Sequence, residues 1–166
     1  QMKKLLLTLL ISLMSMFSHA EDNWTIDDSN WIYANGTTVN GHKFGFAKDK
    51  GRCDENLMFI SWSTYSNGLE EFEGQDVKVY MEFDGKVTHT TLDLISTYKF
   101  GEMTLAMFSN VVMPEEFLNI IRKSKNLVVA FSTKNEMTKT LDIQNDTFDI
   151  EGFSEKFKQA QNRCKD

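Results

Sequence analysis

The sequence predicts a mainly β protein, an antiparallel β-sandwich or open barrel with two helices in its C-terminal half. Three observations carry that class. Short apolar or alternating runs recur between turn signals such as Asn35-Gly36, Asn40-Gly41 and Asp84-Gly85. Helical spacing of apolar residues appears only late, after Pro114 and after Gly152. Strands and helices do not alternate regularly, which argues against a parallel sheet.

At the start of the chain, Met2-Lys3-Lys4 is basic, Leu5 to Phe17 is mostly apolar, and Ser18-His19-Ala20 places small residues at a cleavage site. This pattern predicts a secretory signal peptide over 1–20, cut after Ala20, and hence a periplasmic or secreted protein. The apolar run is short for a membrane span, and Glu21-Asp22 follow it directly. No cysteine follows the cut, which speaks against lipid attachment there. Residues 21–166 are then expected to form a single β-sandwich-like domain closed by a C-terminal helix.

Within that domain, Trp24 to Ala34 alternates loosely, Thr37 to Val39 lies between two turn signals and Lys43 to Ala47 follows, and these are expected as small antiparallel strands at close spacing. Lys48 to Asn56 is a charged loop that carries Cys53. Leu57 to Ser63 is the best candidate for a central strand covered on both faces. Val77 to Phe83 alternates cleanly, with Val77, Val79, Met81 and Phe83 inward. Asp84-Gly85 then turns the chain and Lys86 to Leu94 returns beside it. Thr97 to Phe100 and Met103 to Phe108 suggest two further strands around Gly101.

Pro114 and the acids Glu115 and Glu116 open a helix, whose buried stripe is Phe117, Leu118, Ile120 and Ile121. Leu127 to Ser132 is a buried strand, and Met137 to Ile143 alternates as its partner. Phe153, Phe157, Ala160 and Cys164 fall at 4, 3, 4 spacing, so they share one face of a closing helix. Two cysteines in an exported chain predict one disulfide, Cys53 to Cys164. Its loop of roughly 110 residues is worth at most about 4–5 kcal/mol by chain entropy. Trp62 is expected in the core, and Trp24 and Trp31 in edge packing.

From Met103 to Cys164 the chain resembles the invasion-associated-locus-B-like family of exported bacterial proteins. The matching stretches are Phe117 to Ile121, Leu127 to Phe131, Met137 to Ile143, and Ile150 with Gly152-Phe153-Ser154. The chain departs from that family in having no compact cysteine pair between its strands and its first helix. The resemblance implies a periplasmic β-sandwich without a known catalytic site.

The chain carries 24 acids against 18 bases, a net charge of −6 at pH 7, and loss of Lys3 and Lys4 makes it more acidic. Nucleic acid is therefore excluded as an expected partner. His42 and His89 have no second ligand at metal spacing, and no nucleophile elbow or phosphate-binding glycine loop is present. No catalytic residue, metal site or cofactor is expected, and the domain is expected not to span a membrane. The expected role is that of a binding or inhibitory, immunity-type protein. The alternatives are a small envelope hydrolase using His42 or His89, or an accessory subunit of an envelope assembly.

The expected partner is a protein, a basic one included. The expected docking segment is the long connection from Thr64 to Asp76, with Tyr65 and Phe72 as anchors and Glu70, Glu71, Glu73 and Asp76 as steering charges. In the other reading weighed for this loop, it is solvated and Phe72 tucks into the core.

Overall fold

The computed structural model describes residues 22–166; the signal peptide expected over 1–20 lies outside the described residues. The chain runs through β1 (Trp24–Ile26), β2 (Ile32–Asn35), β3 (Lys43–Ala47), β4 (Leu57–Thr64), β5 (Asp76–Phe83), β6 (Lys86–Phe100) and β7 (Met103–Val112). It continues through α1 (Glu115–Lys123), β8 (Asn126–Phe131), β9 (Asn145–Asp149) and α2 (Phe153–Lys165). Short 3₁₀ turns cover Leu69–Phe72 and Glu136–Thr140.

The strands form one curled, open sheet of nine, in the order β1-β2-β3-β4-β7-β6-β5-β8-β9. Every neighbouring pair is antiparallel. The mainly β class with two late helices therefore holds, in the form of a half-barrel. Two connections skip strands. Residues 65–75 carry the chain from β4 past β7 and β6 to β5, and α1 lies in the return from β7 to β8. Each skip makes a Greek key, which is why these connections are long.

The expected hairpin over Val77 to Leu94 is present, with Phe83 paired to Lys86. Asp84 and Gly85 both have positive φ, 46° and 87°, the geometry whose twist suits a two-residue hairpin. Asp84 also accepts the N–H groups of Lys125 and Asn126, fastening the start of β8 to this turn.

Four expectations about the strands and Trp24 change. Lys86 to Leu94 and Thr97 to Phe100 are one strand, β6, broken in register only by a bulge between Leu94 and Ser96. Met137 to Ile143 is not a strand. Asn135 Oδ1 accepts the Met137 N–H, Thr138 Oγ1 donates to Ser132 O and Thr140 Oγ1 donates to Met137 O. These short side chains bond the local backbone and compete with a ladder; β9 is the true partner of β8. Thr37 to Val39 is a loop. Trp24 is fully buried rather than an edge residue, and its indole N–H donates to Ile150 O at 2.9 Å.

The core lies between the concave face of the sheet and the two helices. Phe153 and Phe157 of α2 pack on Trp24 and Phe46, and Phe117 of α1 packs on Phe83. Ile120, expected in the buried stripe of α1, is exposed instead. Beyond β3, the buried Lys48 directs its three ammonium protons to Cys53 O, Glu55 O and Asn56 Oδ1, with Phe157 beneath. Burial pushes its pKa down to about 8, against the pull of Asp54. The expected Cys53–Cys164 disulfide is present and joins this loop to α2.

Loss of a native bridge closing so long a loop typically costs about 2–5 kcal/mol. Cys53→Ser is expected to lower the melting temperature by about 6–15 °C, at roughly 3 °C per kcal/mol for a domain of this size. Calorimetry of the variant beside the oxidised protein checks this.

Candidate functional site

Chemistry-bearing side chains meet at the end of the half-barrel where β3 begins. Phe44 and Phe46 of β3 face inward, and the same parity sends His42 inside. In β9 the inward positions are Asp146 and Phe148. His42 Nδ1 lies 2.9 Å from Asp146 Oδ2, its Nε2 lies 3.2 Å from Ser63 O, and its ring stacks on Trp62 at 3.7 Å. Asp146 also accepts the N–H groups of Thr38, Val39 and Thr147 at 2.9, 3.2 and 2.7 Å. Beside it, Thr37 N–H donates to Thr147 O, and Gly36 bridges Phe148. The β2–β3 loop is thereby bolted to β9, which brings the two ends of the curled sheet together.

Both ring nitrogens of His42 face oxygen acceptors, and a neutral ring has one proton to offer. The shorter contact places that proton on Nδ1, toward the carboxylate. Burial lowers the His42 pKa below its ordinary value of 6.5, outweighing the pull of the Ser63 carbonyl and of Asp146. Burial also opposes the charge of Asp146, but its N–H donors, led by Thr38, hold the carboxyl below its ordinary 3.8.

His42 and Asp146 are both buried, and among the described residues no hydroxyl or thiol is hydrogen-bonded to the His42 ring. The Ser61 and Ser63 hydroxyls donate to Gly41 O and Asn40 O, and both cysteines are in the disulfide. The pair is placed to fasten backbone. His89 is exposed on β6 beside Tyr80. Among the described residues no group of three or more His, Cys, Asp and Glu is placed to hold a metal. No described helix is long and apolar enough to cross a membrane.

The other candidate is a surface. Alternation puts Met103, Leu105 and Met107 of β7 on the convex face, opposite inward Thr104, Ala106 and Phe108. On β6 the bulge swaps parity. Its first half shows Val87, His89, Thr91 and Asp93 outward, and its second half Ser96, Tyr98 and Phe100. The register pairs Tyr98 with Leu105 and Phe100 with Met103. Tyr98 is 55% and Phe100 60% exposed, so an apolar strip runs to the tip of the β6–β7 hairpin.

The expected docking segment lies beside that tip. Tyr65 is 65% exposed and shares a surface hollow with Lys99, Gly101 and Glu102. Glu70 pairs with Lys99 at 2.9 Å, and Glu73 accepts from Thr97 N and Oγ1. These two acids thus fasten the loop to β6. Glu71 and Asp76 are exposed and form no ion pair among the described residues. Phe72 is half-buried against the core, as in the other reading of this loop. The strip on β6 and β7 was missed in the sequence because the bulge at Ile95 shifts the alternation there. A second groove, between α1 and the β5–β6 turn, mixes Ile120 and Val87 with Asp84, Lys86, Glu116 and Lys123.

No protein family, curated protein or solved structure matches this chain. The resemblance of residues 103–164 to the invasion-associated-locus-B-like family has no counterpart in those comparisons. One stretch on which it rests, Met137 to Ile143, is the end of a 3₁₀ turn followed by a loop and not a strand.

Two expectations concern the bolted end. With both pKa values lowered, the unfolded chain binds more protons as pH falls. The contribution of these two groups is therefore full above pH 6.5, declines below it as His42 resists protonation, and declines again below 3.8 as Asp146 does. Urea titrations from pH 8 to pH 3 are expected to follow this curve, with a flatter segment near pH 6 in His42→Gln. A Cβ on Gly36 would lie 2.4 Å from Asp146 Oδ2. Gly36→Ala is accordingly expected to cost about 1–3 kcal/mol and to raise amide exchange at Thr37 and Val39 first.

Proposed function

We propose that this chain is an exported, periplasmic or secreted protein-binding domain of inhibitory or immunity type, without catalysis. The observation that carries this reading is the apolar strip of Tyr98, Phe100, Met103 and Leu105 on the convex face of the β6–β7 hairpin. Contiguous exposed apolar surface is uncommon on a soluble monomer and marks interaction sites. The first half of the same strand presents Val87, His89, Thr91 and Asp93 outward, so the strip is local to one end.

Two further features support the reading. A disulfide suits an oxidising compartment. The tip of the hairpin carries Glu102, and Glu71 and Asp76 belong to the segment that runs along β6; none of the three has an ion-pair partner among the described residues, which favours a basic partner. At the strip β7 is paired with both β4 and β6, and beyond Asp93 the outer edge of β6 is held by Glu73, Gly74 and Gln75 of the preceding loop, so docking orders little chain and costs little entropy.

The test is capture from envelope and culture extracts with the immobilised protein. Tyr98→Ser with Phe100→Ser is expected to abolish capture of the specific partner while leaving the melting curve unchanged. Glu71→Lys with Asp76→Lys is expected to slow association several-fold and to flatten its salt dependence, since neither acid holds the loop. Turnover on peptidoglycan or ester substrates that disappears in His89→Ala overturns the reading in favour of a hydrolase.

A further inference from the structure

At the other end of the same convex face lies a groove of about 300 Å³, walled by Trp31, Leu57, Phe59, Ile95 and Met107. Three features single it out. Its aromatic wall is fixed: Trp31 and Phe59 sit with ring centres 5.0 Å apart, and the Trp31 indole N–H donates to Asp49 Oδ1 at 3.0 Å. The ring's polar atom is therefore satisfied, and what it offers the groove is apolar. Trp31 is half-buried, whereas Trp24 and Trp62 are fully buried.

Irregular backbone also converges here from two strands. On β6 the bulge leaves Ile95 unpaired between Leu94 and Ser96. On β7, Ser109 and Asn110 stand opposite the single residue Phe59, and Asn110 adopts φ 91°. Left-handed backbone at a non-glycine residue is costly and tends to mark sites where geometry is used. Bulges re-aim side chains beside such sites. Here they hold Ile95 at the groove edge, 51% exposed.

The charge at the rim is one-sided. Arg52 lines the groove but is spent on Glu55, to which its Nε and Nη2 both donate. Asp49 and Asp93 flank the groove and form no ion pair among the described residues. The volume is at the small end for ligand pockets, suited to one side chain more than to a cofactor.

We propose that this groove is the anchor pocket of the docking face. It takes one aromatic or branched apolar side chain of a protein partner, with a flanking lysine or arginine placed on Asp49 or Asp93. This rests on the protein-binding reading above and names its contact residue type. Met107 continues the outward line of Met103 and Leu105, so groove and strip form one surface.

The test uses the whole folded chain and three capped tripeptide amides, Lys-Phe-Lys, Glu-Phe-Glu and Lys-Gly-Lys, followed by NMR at millimolar concentration. Lys-Phe-Lys is expected to shift the Trp31 indole N–H and the Ile95 and Met107 methyl signals saturably. Glu-Phe-Glu and Lys-Gly-Lys are expected to bind at least about tenfold more weakly. Asp49→Asn and Asp93→Asn keep their oxygen acceptors, and together they are expected to weaken Lys-Phe-Lys about fivefold. Ile95→Ser, at an exposed position, is expected to abolish the shifts without lowering the melting temperature.

Equal binding of Glu-Phe-Glu, shifts located elsewhere, or phenylalanine amide binding as tightly as the tripeptide would overturn the proposal. If a captured partner depends on Tyr98 and Phe100 but ignores Ile95→Ser, the groove fails and the docking face stands. If capture ignores both sets of changes, both fail.

Discussion

One buried carboxylate holds the two ends of this sheet together. A curled sheet that stops short of closure has a first hairpin and a last hairpin that no continuous ladder joins. Asp146 spans that gap by accepting from Thr38, Val39 and Thr147 while the His42 ring closes its remaining side. An unpaired buried charge is severely destabilising, so every one of these donors has to be in place for the site to exist at all. The aromatic core sits directly behind: Trp62 under the His42 ring, and Phe148 beside Phe44. Packing and polar satisfaction are therefore enforced by the same few residues, and neither is secured without the other.

At the opposite end of β3 the fold uses different means. Lys48 gathers the loop of residues 53–56 by three hydrogen bonds, and the disulfide fixes that loop to α2. Between these two fastened ends the concave face is filled by α1 and α2. On the convex face of the β6–β7 hairpin Tyr98 and Phe100 stay largely exposed, while β7 is paired on both edges and the end of β6 is held by β7 and by the loop before β5. On the proposed reading, a stiff plate with one greasy region and carboxylates that form no ion pair suits recognition, because little of it has to be ordered on contact.

What was legible in the sequence was whatever depends on neighbours. The β5–β6 hairpin announced itself through alternation and an Asp-Gly turn, and α2 through the spacing of Phe153, Phe157, Ala160 and Cys164. The disulfide followed from there being two cysteines. The length of β6 was hidden because its bulge moves the inward residues from Leu92 and Leu94 to Thr97 and Lys99, so one strand looks like two. Met137 to Ile143 alternates in hydrophobicity, but its threonines and Asn135 satisfy the backbone locally. His42 and Asp146 are 104 residues apart and meet only through the sheet order. A hint existed: aspartate is unfavourable within strands, and Asp146 stands in one at an inward position.

The bridge also imposes an order on biosynthesis. Cys53 is made first, and its partner follows only after 111 further positions have been added. Until then no correct sulfur exists for it, and any oxidant that reaches the nascent chain meets a lone thiol. The loop that holds it takes shape around Lys48, whose acceptors all lie within eight residues. That local knot draws on no residue beyond Asn56, so it needs none of the strands that follow it. The covalent bond, by contrast, needs α2, which follows every described strand in the chain, so it can seal the sheet but cannot guide its first pairings.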